Sequence, residues 1–162
     1  MGLDQRMILK RLPPSITGFF DHLEPPRSVE SRSFTEACHL VAQFEGGVVE
    51  DIDLSLLGRS YYSATVRTPS DHVSMLANSV YPYLAFVRPH AFGVIIPELS
   101  FVAPVRLASS ISSLTYFRSL DAAWLETELS TELLADLAQV ELDQVKYWKP
   151  ARVGEVIFNN WD

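Results

Sequence analysis

The chain has 162 residues, of which 48% are hydrophobic and 20% charged, a balance typical of globular proteins and not of disordered ones. Twenty acidic side chains against 13 basic ones give a formal net charge of −7, so the average field repels phosphate backbones and anionic lipid head groups. These values exclude disorder as the main state and disfavour nucleic acid and membrane surfaces as partners.

The cysteine count and the N-terminus indicate the compartment. The single cysteine, Cys38, permits no intramolecular disulfide, which agrees with a reducing environment. The first residues carry charges at Asp4, Arg6 and Lys10 and contain no apolar core of signal-peptide length. Prolines and charges interrupt the most apolar region, so no run reaches the roughly 18 residues of a membrane span. We therefore expect one cytoplasmic domain covering residues 1–162.

Residues 1–32 are punctuated by proline pairs that bracket residues 15–24. The residue before each proline is pushed out of the α region, which confines any helix here to about two turns. This segment is predicted to pack on or beside the domain as a short helix or turn that carries Phe19, Phe20 and Leu23 into the core. The alternative is an arm that docks on a partner.

The clearest helix is predicted over residues 34–45. Ser33 and Glu36 have the spacing of a capping box, and apolar residues recur at helical intervals after them. Gly46 and Gly47 then supply a left-handed end.

An antiparallel hairpin is predicted over residues 59–78. Residues 59–68 alternate with β-branched and aromatic side chains, residues 72–78 resume the alternation, and a Thr-Pro-Ser-Asp turn joins them. The preceding segment, 48–57, carries acidic side chains and is interpreted as a solvated loop.

The middle of the chain is ambiguous. Residues 80–87 fit either a strand or one buried helical turn, and residues 92–97 fit a strand. Residues 104–113 are small and polar, which indicates a loop or exposed edge. Residues 114–129 fit a strand pair or a helix.

The C-terminal part is predicted to be a helix followed by a closing β-hairpin. Ser130 is placed as the N-cap of a helix over residues 131–139, and the hairpin arms are 144–149 and 152–159. The overall prediction is an α+β fold: a single domain with an antiparallel β-sheet, helices packed on one face and a C-terminal β-hairpin that closes it.

No catalytic constellation stands out. The four histidines are far apart and form no H-x-x-x-H pair, and Cys38 lies on a predicted apolar stripe. G-x-S-x-G, P-loop and G-x-G-x-x-G motifs are absent from the sequence. We therefore predict no catalytic residue, metal or cofactor, and favour a non-enzymatic role.

Two groups of residues are candidates for binding. Asp51 and Asp53 have the spacing to share one strand face, with Glu50 beside them, although a solvated loop explains them as well. In a strand, neighbours such as Tyr61 and Tyr62, or Tyr147 and Trp148, face opposite sides. Some of these aromatics, together with Trp161, are therefore expected on a surface, unless helices cover the second sheet face.

These groups favour a small bacterial-type protein-binding or regulatory module with an acidic, aromatic-rich surface and a protein partner with a basic surface. The predicted binding residues are Glu50, Asp51, Asp53, Tyr61, Tyr62, Tyr147, Trp148 and Trp161. The alternative is a small-molecule-binding or hydrolytic domain with a pocket between sheet and helices, using His72 or His90 with Asp71. A homo-oligomer joined through a sheet edge is compatible with either hypothesis.

Overall fold

A computed structural model describes residues 7–89 and 98–161 and contains one mostly antiparallel sheet. Its strands follow the order β1-β2-β3-β4-β5, and a short β6 pairs in parallel with β4. The strands are β1 (Val48–Asp53), β2 (Tyr61–Arg67), β3 (His72–Asn78), β4 (Tyr83–Val87), β5 (Phe101–Val102) and β6 (Arg118–Ser119).

Within the described ranges, five helices accompany the sheet. They are α1 (Ser31–Phe44), α2 (Val105–Leu114), α3 (Ala122–Leu125), α4 (Gln139–Trp148) and α5 (Val153–Ile157). Within residues 7–89 and 98–161, none of the helices has the length and apolar character needed to cross a membrane. The predicted α+β class is confirmed.

The predicted hairpin over residues 59–78 is confirmed as β2 and β3. The Thr68 N–H donates to the Asp71 carbonyl at 2.8 Å, and the Asp71 N–H donates to the Thr68 hydroxyl at 3.0 Å, which closes the turn. Of residues 48–57, interpreted as a solvated loop, residues 48–53 form β1 at the sheet edge instead, because Val49 and Ile52 pack inward against the core. Residues 54–57 lie outside any strand.

The predicted first helix exists, but it begins earlier. Glu30 is its N-cap, so Ser33 lies within the first turn and the predicted capping box is wrong. Arg32 and Glu36 form an i,i+4 ion pair that spans this extra turn. The left-handed end is confirmed at Gly46, whose φ is 73°.

Helices cover both faces of the sheet, so the prediction of helices on one face alone is wrong. On the first face, α1 and α2 pack against side chains that include Tyr62 and Met75. On the second face, α3, α5 and the N-terminal segment pack against side chains that include Tyr61 and Leu76. This double cover buries alternate residues of the central strands on both sides.

The predicted closing β-hairpin is replaced by two helices, α4 and α5. Leu142 and Val145 are three residues apart and both pack against the second-face core, as a helix requires. In α5, Val153, Val156 and Ile157 are buried at helical spacing. Tertiary packing therefore overrides the strand-like alternation of this region.

The predicted helix over residues 131–139 is also wrong. Ser130 accepts a hydrogen bond from the Leu133 N–H at 3.1 Å, as an N-cap would, but only turns follow. The Leu133 carbonyl accepts from the Leu12 N–H at 2.9 Å, and the Leu137 N–H turns back to Leu134 instead. The N-terminal segment thus occupies the Leu133 carbonyl, which the Leu137 N–H would use in a continuing helix.

The ambiguous middle resolves element by element. Residues 104–113, predicted to be a loop or edge, are mostly α2, which buries Leu107 and Ile111 one turn apart. Residues 80–87 contain β4, and residues 114–129 contain β6 and α3. The predicted strand at 92–97 lies outside the described residues.

In the N-terminal segment, the bracketed residues form turns rather than a helix. Phe19 packs against the second-face core as predicted, whereas Phe20 is only half-buried and Leu23 is 88% exposed. A buried polar network holds this segment to the C-terminal end. Asn78 donates to the carbonyls of Ile16 and Ile157, and Asn159 donates to the Thr17 carbonyl at 2.9 Å.

Candidate functional site

A groove lies at the C-terminal end of the chain. This C-terminal groove has a volume of about 450 Å³ and is bounded by the end of α4, the segment around α5 and the residues before β5. Its apolar lining consists of Leu99, Trp148, Pro150, Phe158 and Trp161. Its charged lining consists of Glu98, Lys149, Arg152 and Glu155.

An exposed aromatic pair marks the rim of the groove. Tyr147 and Trp148 are 76% and 36% exposed, and their rings meet edge to face with centroids 5.2 Å apart. Because they end a helix that buries Glu141 and partly buries Leu142 and Val145, they project away from the core.

The indole of Trp148 has a defined position. Its Nε1–H donates to the Gln144 Oε1 at 3.0 Å, one helical turn earlier. Lys149 then ends the helix in the left-handed conformation, with φ 50°, and turns the chain into the groove. The aromatic rim is therefore held in place before any partner binds.

Arg152 organises the charged side of the groove. Its guanidinium pairs with the carboxylates of Glu126 and Glu155 and donates to the Leu99 carbonyl at 3.4 Å. Glu155 also accepts from the backbone N–H groups of Ala151 and Arg152, at 2.6 and 3.0 Å. Partial burial acts to raise the pKa of Glu155, but these hydrogen bonds and the guanidinium outweigh it and lower that pKa.

The predicted acidic residues lie elsewhere, on the edge strand β1. Glu50 bonds Arg67 at 2.9 Å and His72 at 2.7 Å, and Asp53 pairs with Arg59 at 3.2 Å. The described part of the chain contains no group of three or more His, Cys, Asp or Glu side chains placed to hold a metal ion.

The predicted tyrosine pair is buried. Tyr61 and Tyr62 are 1% and 6% exposed, on opposite faces of the sheet. The Tyr62 hydroxyl donates to the Val29 carbonyl at 2.8 Å, while the Tyr61 hydroxyl lies 3.3 Å from the Asn160 amide oxygen. Burial raises the pKa of both phenols. Cover by helices on the second face, the alternative considered above, explains Tyr61.

The structure thus gathers part of the predicted set. Trp148 and Trp161 line one groove and Tyr147 adjoins it, whereas Glu50, Asp51 and Asp53 do not line it. Trp161 is 9% exposed and packs near Phe19, with ring centroids 6.5 Å apart. The tryptophans therefore meet in the groove even though α4 replaces the predicted hairpin arm.

The other polar candidates do not converge on a catalytic centre. His72 pairs with Glu50 instead of Asp71, and the groove of about 280 Å³ beside it is open. Cys38 is fully buried, and burial raises the pKa of its thiol to about 12. His22 and His39 are exposed, and His90 lies outside the described residues.

Sequence reasoning missed the charged lining of the groove. The predicted hairpin places Lys149 and Arg152 at the ends of its two strand arms, which does not indicate their joint position in a groove. The spacing of Leu142 and Val145 was the available signal, because it fits a helix that would place these cations at its end.

Compared with known proteins, the chain matches no family model, no curated protein and no solved structure.

Proposed function

We propose that this chain is a protein-binding module that grips its partner at the C-terminal groove. The observation that carries the proposal is the exposed pair Tyr147 and Trp148, held in one geometry beside a groove with a second indole, Trp161. Tryptophan and tyrosine dominate the binding energy of many interfaces because they bury a large area and lose little conformational entropy.

The order of the site before binding supports this reading. The Trp148 hydrogen bond to Gln144 and the ion pairs of Arg152 already fix the side chains that a partner would contact. A partner therefore pays less entropy for immobilising them.

The charge of the groove indicates the kind of partner. Arg152 is occupied by Glu126 and Glu155, whereas Glu98 and Lys149 have no ion-pair partner among residues 7–89 and 98–161, which leaves Glu98 as the carboxylate open to a partner. A lysine or arginine of a partner can stack on an indole while its charge faces a carboxylate. This chemistry supports a partner with a basic surface.

The test compares proteins retained on the immobilised full chain and on single variants, identified by mass spectrometry. Trp148→Ala is expected to lose a partner that the unaltered chain retains, since removal of a hot-spot side chain costs about 2 kcal/mol or more. Tyr116→Ala is the matched control, because Tyr116 is 56% exposed and does not line the groove.

A partner retained equally by the unaltered chain and by Trp148→Ala would contradict the proposal. Circular dichroism first checks that each variant is folded. We expect both to fold, because the Trp148 and Tyr116 side chains are substantially exposed.

A second candidate is a small-molecule site in the same groove. The volume of about 450 Å³ falls within the range of ligand pockets, and Arg152 and Asn160 offer polar contacts beside the indoles. A metabolite library screened by indole fluorescence would detect it. A ligand that quenches the unaltered chain but not Trp148→Phe would favour this function over protein binding.

A further inference from the structure

The strand β1 ends the sheet. It pairs with β2 on one side, and within the described ranges 7–89 and 98–161 no strand pairs with its other side. An edge of this kind presents backbone N–H and C=O groups that can pair with an additional strand. At six residues, β1 is long enough to hold an extended peptide by main-chain hydrogen bonds.

Exposed apolar side chains flank this edge at both ends. Val48, the first residue of β1, is 60% exposed, and Leu56 and Leu57 are 39% and 91% exposed after the strand. Exposed apolar residues are ordinary when scattered, but here three of them lie at the two ends of one strand whose outer edge is unpaired.

Arg59 fixes the loop that follows β1. Its guanidinium donates to the carbonyl of Asp53 at 2.7 Å and to that of Ser55 at 2.6 Å, and it pairs with the Asp53 carboxylate. The loop that presents Leu56 and Leu57 is thereby tied to the end of β1. This fixed geometry lowers the entropic cost of docking.

The charge of the edge favours a basic segment of a partner over a second copy of the chain. Glu50 and Asp53 are paired with arginines, whereas the exposed Asp51 has no hydrogen-bond or ion-pair partner among the described residues. A second copy added edge to edge would bring the uncompensated charge of Asp51 near its own counterpart, which is repulsive. A segment with lysine or arginine would instead complement Asp51.

We propose that β1 is a docking edge for an extended lysine- or arginine-bearing segment of a partner protein, which adds to the sheet as a further strand. The backbone of the segment pairs with β1, a cation faces Asp51, and apolar side chains contact Val48 and Leu57. This surface is separate from the C-terminal groove, so the inference does not depend on the proposed function.

The probe is a fluorescent ten-residue peptide of alternating lysine and valine, and its counterpart carries glutamate in place of lysine. Binding to the full chain is measured by fluorescence anisotropy at low salt. Hydrogen exchange of the backbone amides locates the contact. We expect the lysine peptide to bind more tightly than the glutamate peptide and to slow exchange within residues 48–53.

Asp51→Lys tests the charge requirement. We expect it to weaken binding of the lysine peptide about tenfold, since one attraction becomes one repulsion of similar size. The variant should fold, because Asp51 is exposed and unpaired. Glu132→Lys makes the same change of net charge at an exposed residue outside the sheet and should leave the affinity unchanged.

Three results of the peptide experiments would overturn the inference. They are equal binding of the two peptides, an equal loss of affinity in both variants, and slowed exchange outside β1 only. Sedimentation that shows dimers, and Asp51→Lys that changes their stability, would assign the edge to a second copy and would equally reject the proposal.

Discussion

Glu141 is a buried carboxylate that ties the two ends of the chain together. It is 0% exposed and accepts hydrogen bonds from the Ser15 N–H, the Thr17 N–H, the Thr17 hydroxyl and the Ala138 N–H. The N-terminal loop is thereby fixed to the first turn of α4. A fully buried carboxylate is tolerated because these four hydrogen bonds satisfy its oxygens.

Glu141→Ala is expected to lower the free energy of unfolding by about 3 kcal/mol, since it leaves buried donors without an acceptor. Urea unfolding followed by circular dichroism measures the change. Glu132→Ala, an exposed acid in the turns before α4, is the control and should cost less than about 0.5 kcal/mol. A similar loss in both variants would reject the anchoring role of Glu141.

Glu50 makes stability depend on pH. A hydrogen bond from Arg67, followed by one from His72, lowers the pKa of this carboxyl below its ordinary value of 4.5. A pKa lowered by folding stabilises the protein above the unfolded-state value, and that contribution is lost as the pH falls through the folded-state pKa.

We therefore expect the unaltered chain to be more stable than Glu50→Gln near pH 7 and the difference to vanish as the pH falls below 4.5. The measurement is the urea midpoint of both proteins across this range. Because the group is on the surface, about 1 M salt should also reduce the difference. A difference that grows at acidic pH would contradict this assignment.

At the level of elements, the end of α4 shapes the aromatic rim. Lys149 adopts the left-handed conformation that glycine favours, and its backbone N–H donates to the Val145 carbonyl at 2.9 Å. A residue with a β-carbon is strained in this conformation, so Lys149 does not itself favour the helix end. The helix ends here because Pro150 follows and cannot continue it.

Lys149→Gly is expected to be more stable than Lys149→Ala by about 1 kcal/mol, because only glycine removes the left-handed strain. Both variants lose the same charge, so their comparison isolates the backbone effect. Thermal unfolding measures it. Equal stability of the two variants would mean that the chain relaxes out of this conformation at little cost.

At the level of the whole molecule, the second face of the sheet depends on the C-terminal residues. Val153, Val156, Ile157, Phe158 and Trp161 are all buried against it. Asn159 adds hydrogen bonds to the carbonyls of Thr17 and Val156. The last ten residues therefore close a core that starts near residue 12.

Removal of residues 153–162 is expected to abolish cooperative unfolding, because it exposes one whole face of the sheet. Loss of a sigmoidal thermal transition and binding of a hydrophobic dye would show this. A chain that lacks only Asp162 is the control and should behave as the unaltered protein. A truncated chain with an unchanged midpoint would show that the first-face core suffices.

Local patterns predicted the elements whose determinants are local. The hairpin over residues 59–78 follows from alternation and one turn, and the α1 helix follows from its apolar stripe and Gly46. Trp148 and Trp161 were also predicted as binding residues, and they line one groove, although for a reason that the sequence did not contain.

Composition and short-range spacing determined by themselves that the chain folds, that it is α+β, and where the β2–β3 hairpin and the C-terminal end of α1 lie. Only the tertiary structure decided that α4 and α5 are helices, because the second sheet face needs cover and apolar spacing of three or four residues provides it. It also decided that Tyr61 and Tyr62 are buried while Tyr147 and Trp148 are exposed, since burial depends on which elements cover a side chain and not on its neighbours in sequence.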